Sequence, residues 1–82
     1  MEDVEKIIAE VSEGVLRAMK QNERKETIKK RDMVGCLGHV NKTMFRLLTR
    51  EGSRNDDMKE CVDAIAYLVM VYAIRKNPYG EY

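Results

Sequence analysis

Apolar residues recur at three-and-four spacing in three stretches of this chain, and each stretch predicts an amphipathic helix. The first covers about residues 2–21, with Val4, Ile7, Ile8, Val11, Val15, Ala18 and Met19 on one stripe. Glu2, Asp3 and Glu5 open it and Arg17 and Lys20 close it, an order that suits the helix dipole. The second covers about residues 33–50, with Met33, Leu37, Val40, Met44, Leu47 and Leu48 as its stripe and Asp32 as its expected N-cap. The third covers about residues 57–76 and stops before Asn77-Pro78, because proline disfavours helix at the residue before it. Between them, about residues 20–31 are polar except for Ile28, and Glu51-Gly52-Ser53-Arg54-Asn55 reads as a turn, with Asn55 or Asp56 capping the third helix.

The polar segment has two readings, a frayed end of the first helix or a solvated helical extension. Its basic cluster of Arg24, Lys25, Lys29, Lys30 and Arg31 is diluted by Glu23 and Glu26, so a solvated connector is expected rather than a phosphate-binding arm. Gly35 and Gly38 lie one turn apart in the second helix, where each lowers helix stability by roughly 1 kcal/mol relative to Ala. They point to the close approach of another helix or of a bound group.

The third helix is unusual, because every residue from 61 to 74 except Asp63 is apolar or aromatic. At about 100° per residue, Cys61, Ile65, Val69 and Tyr72 share one face, and Asp63, Tyr67, Met70 and Ile74 share the opposite one. A chain of 82 residues with three main helices can hardly cover both. The expected architecture is therefore all-α, a single domain that oligomerises into a helical bundle of four or more helices.

Composition narrows the function classes. The chain has 15 basic and 14 acidic residues, so it carries no overall field that would draw it to nucleic acid, and nothing in it resembles a recognition helix. Cys36 and Cys61 are far apart and both sit in apolar stretches, which predicts two buried, reduced thiols. The acidic start lacks a signal-peptide layout, and residues 61–74 are too few to span a bilayer. A cytoplasmic protein with no membrane partner is the expectation. His39 is the sole histidine and reads as a surface residue, and there is no zinc-ligand spacing and no Gly-rich phosphate loop.

The candidate chemistry is acidic. Glu60 and Asp63 lie one turn apart on the third helix, and two carboxylates in register can hold Mg²⁺ together with waters. A salt bridge from Asp63 to a basic residue of another helix accounts for the same residue without any metal. The stretch Glu60-Cys61-Val62-Asp63-Ala64-Ile65-Ala66-Tyr67-Leu68-Val69 resembles the E-x-x-D helix of the MazG-like all-α nucleotide pyrophosphohydrolases, including a tyrosine four residues after the aspartate. Asn41-Lys42-Thr43-Met44-Phe45-Arg46-Leu47-Leu48 is similar to a K-x-x-x-R-L helix of phage-type relatives, and Glu10-Val11-Ser12-Glu13 to an E-x-x-E element.

The resemblance implies an oligomeric Mg²⁺ enzyme that cleaves a nucleoside triphosphate to its monophosphate and pyrophosphate. Glu60, Asp63, Glu10 and Glu13 would then be metal ligands, and Lys42 and Arg46 phosphate contacts. All four of Glu10, Glu13, Lys42 and Arg46 point away from the apolar stripes of their helices, so they face a site only if those polar faces line a cleft. The alternative is a non-catalytic helical dimer, an adaptor or regulator. The two readings separate on whether Glu60 and Asp63 meet other carboxylates or meet Lys and Arg.

Overall fold

The computed structural model describes residues 3–49 and 53–77, and all its regular structure is helical. Among those residues there are four helices rather than three: α1 (Val4–Met19), α2 (Asn22–Lys29), α3 (Met33–Thr49) and α4 (Arg54–Lys76). None is long and apolar enough to cross a membrane. The expected Gly52 turn lies outside the described residues.

Local chemistry sets the helix ends. Asp3 caps α1 by accepting the Glu5 N–H at 3.0 Å, and Arg17 stands in its last turn. The polar connector is a separate helix, α2, because its one apolar residue, Ile28, is buried and anchors it. Arg31 then adopts a left-handed conformation (φ 54°), and the Arg31 and Asp32 N–H groups donate back to the carbonyls of Ile28 and Thr27. That is a Schellman-type stop, built here without glycine. Asp32 turns the chain straight into α3, accepting the Gly35 N–H at 2.9 Å.

A side chain at Gly35 would overlap the Asp32 carboxylate, so this glycine makes room for the cap. Gly38 faces open space, and no helix approaches it. The close packing expected at this pair is found instead at Gly14 of α1, where a Cβ would lie 3.1 Å from Val62 of α4. The N-cap of α4 is Ser53, earlier than Asn55 or Asp56. Ser53 and Asp56 form a reciprocal capping box, in which each backbone N–H donates to the other's side chain.

Every other helix packs on α4, and α1 and α3 do not meet. Arg46 meets Glu60, His39 meets Tyr67, and Cys36 packs with Met70 and Ile74, so α3 runs antiparallel to α4. Gly14 faces Val62, Val15 and Ala18 cluster with Ala66, and Ile28 clusters with Met70 and Ile74, so α1 and α2 run parallel to it. The core is those two clusters, joined by Met19, which packs against both. The molecule measures 42 × 28 × 19 Å. Its thinnest dimension is about two helix diameters of 10–12 Å, so a helix in it has a covered side and an open one.

For α4 the covered side holds Ala66, Met70 and Ile74. The opposed apolar faces are real, but only one is buried within the chain. Ile65, Leu68, Val69 and Tyr72 are all more than a third exposed, and so is Met58. Cys61 is exposed as well, which corrects the expectation of two buried thiols, whereas Cys36 is 1% exposed. Burial, reinforced by the Asp32 carboxylate, pushes the Cys36 thiol above its usual pKa and keeps it protonated. In dilute solution one thiol per chain should therefore react at once with a thiol reagent and the second only on denaturation. Two fast thiols, or none, would contradict this packing.

Candidate functional site

Glu60 and Asp63 do project from one region of α4, but each is taken by an arginine of a different helix. Arg46 Nη1 of α3 donates to Glu60 Oε1 at 2.8 Å, and Arg24 Nη2 of α2 donates to Asp63 Oδ1 at 3.3 Å. Both pairs are partly open to water, where such bridges contribute about 0–1 kcal/mol. Their structural role is to fix the azimuth of α2 and α3 around α4.

Arg24 is the less ordinary partner. Its side chain is only 12% exposed, its Nε donates to Gln21 Oε1 at 3.4 Å, and its guanidinium carbon lies 4.9 Å from the centre of the Tyr67 ring. Nη1 is buried with no hydrogen-bond partner. The ring face supplies part of the missing stabilisation through a cation–π contact. Tyr67 also stacks on His39, with ring centres 4.5 Å apart and planes 6° from parallel. An arginine from α2, a tyrosine from α4 and a histidine from α3 thus close one side of the bundle. They line a cleft of about 550 Å³ that Lys30, Asp32 and Cys36 also border.

Magnesium requires several oxygens in near-octahedral array. Among the described residues no group of three or more His, Cys, Asp or Glu converges in a way that could hold a metal ion. Glu13 pairs with Arg17 along α1 at 3.7 Å, both largely exposed. Glu10 borders a shallow pocket with Ile7, Val11, Met58, Cys61 and Val62. Neither joins Glu60 and Asp63 in a ligand set, and those two are already neutralised by guanidinium groups. Within one chain, the described residues supply no ligand set that fits the ion. Of the two candidate phosphate contacts, Arg46 is engaged with Glu60, and Lys42 borders an open pocket on α3 with Gly38, Phe45 and Leu48.

Sequence reasoning passed over Arg24 and His39 as members of one cluster. The available signal was Ile28. As the sole apolar residue of α2 it marks the inward face, and Arg24, one turn earlier, shares that face.

The outer face of α4 is the other organised feature. Met58, Cys61, Ile65, Leu68 and Tyr72 follow one another at spacings of three, four, three and four, all exposed. That is the period of a coiled-coil seam, on the side of the helix opposite its core residues. No protein-family model matches the chain, and no curated protein or solved structure resembles it at a significant level.

Proposed function

We propose that the chain is a non-catalytic helical interaction module that works by self-association, an adaptor or regulator rather than an enzyme. The observation that carries this reading is the apolar seam on the outer face of α4. A monomeric soluble protein rarely leaves such a contiguous stripe in water. Fourteen large apolar side chains among the described residues are more than a third exposed, so the need for cover is not confined to one residue. The pairing of Glu60 with Arg46 and of Asp63 with Arg24 supports the same reading, because these carboxylates have basic partners in place of further acids.

Sedimentation at micromolar concentration should give a dimer or a higher oligomer. Thermal melting should be unaffected by millimolar Mg²⁺, and a mixed nucleotide pool should release no pyrophosphate. A folded 9.5 kDa monomer across that range would remove the module reading. A metal-dependent rise in melting temperature together with pyrophosphate release would replace it with the pyrophosphohydrolase, with Glu60 and Asp63 freed to bind metal.

A further inference from the structure

We infer that two copies of this chain pair antiparallel through the outer faces of their α4 helices, with Asp57 of each copy beside Arg75 of the other. The inference rests on the self-association proposed above and gives it a geometry. The seam Met58, Cys61, Ile65, Leu68, Tyr72 supplies the contact, and its spacing keeps the same stripe facing a straight partner helix over four turns. What covers it is decided by charge. The first turn of α4 carries Asp56 and Asp57 beside Arg54, a net negative end, and its last turn carries Arg75 and Lys76, a positive one.

A parallel pair would set acid on acid at one end and base on base at the other, and would align the two helix dipoles. An antiparallel pair sets acid on base at both ends and opposes the dipoles. Asp57 and Arg75 are eighteen residues apart, five full turns at 3.6 residues per turn, so they occupy the same edge of the helix. A two-fold axis perpendicular to two antiparallel helices brings each edge against its own equivalent. Asp57 therefore comes beside the partner's Arg75, and the reciprocal pair forms by symmetry. In the seam, Ile65 lies against the partner's Leu68 and Cys61 against the partner's Tyr72. The chain's own surface is thus complementary to itself in charge and matched in apolar character, which identifies the occupant as a second copy.

The test uses sedimentation of Asp57→Arg, Arg75→Asp and the double variant, with helix content checked by circular dichroism. Each single change places like charges side by side twice in the dimer and should weaken it by about tenfold or more. The double variant exchanges the two signs and should recover assembly to within about threefold. Single variants that assemble like the wild type, or a double variant that stays weak, would overturn the antiparallel geometry. A wild type that never assembles would instead sink the self-association beneath it.

An independent readout is disulfide trapping with a mild oxidant. Tyr72→Cys should give a covalent dimer linking Cys61 to the thiol introduced on the partner, and the wild type should not link. Efficient linking of wild type through Cys61 would indicate the parallel pair and overturn the inference.

Discussion

Met70→Ala is expected to destabilise the chain by about 3 kcal/mol, and Met70→Glu to prevent folding. Met70 is fully buried and sits where Ile28 of α2, Cys36 of α3 and Ile74 of α4 come together. Truncation removes the apolar contact shared by three helices and leaves a cavity between Ile28, Cys36 and Ile74. A domain of this size has only about 5–10 kcal/mol of stability in total, so that loss is a large fraction of it. Urea unfolding at one fixed protein concentration would measure the change, since the proposed assembly would add a concentration-dependent term. A loss below about 1 kcal/mol would mean that Met70 is not the centre of the core.

Leu68→Glu should do the reverse, leaving the monomer intact and dissolving the assembly. Leu68 is 47% exposed on the outer face of α4. A carboxylate there meets water in the single chain, and Glu is nearly as good a helix former as Leu. In the paired form, two such carboxylates are buried against apolar side chains, at a cost of several kcal/mol each unless they are protonated. The dissociation constant should rise by at least about a hundredfold, which corresponds to about 2.7 kcal/mol. Circular dichroism should stay helical while sedimentation shifts to the monomer. A dimer that persists would exonerate this face and move the interface to another of the exposed apolar patches.

The contrast between these neighbouring residues marks where sequence reasoning stops. Periodicity located α1, α3 and α4 because each carries an apolar stripe long enough to register. It passed over α2 because eight residues with a single apolar member carry almost no periodic signal, although Ile28 is enough to pin the helix to α4. The wheel of α4 separated its two faces correctly, with Met70 on one and Cys61 on the other. It had no means of ranking them, because both are apolar and burial depends on which helices arrive. Cys61 was misplaced for that reason.

The acidic pair was legible as a pair, and its consequence was not. Glu60 and Asp63 stand one turn apart as the spacing requires, but what they hold is set by Arg46 and Arg24, from segments 14 and 39 residues away. Arg24 in particular looked solvated among charged neighbours. Its side chain is largely covered and its head lies over Tyr67, an arrangement open to a long amphipathic side chain whatever the local composition.

Because α1 and α3 meet only through α4, the order of synthesis matters. The chain emerges from the ribosome with the apolar stripes of α1 and α3 and the single anchor Ile28 of α2 before the one surface that receives them has been made. Until Val62 and Ala66 appear there is nothing for α1 to dock on, and until Met70 and Ile74 appear nothing closes over Ile28 and Cys36. The buried core is therefore complete only once α4 has been made. The same helix, as it completes the core, presents the apolar seam proposed for self-association, so the core and the candidate interface are made by one segment of the chain.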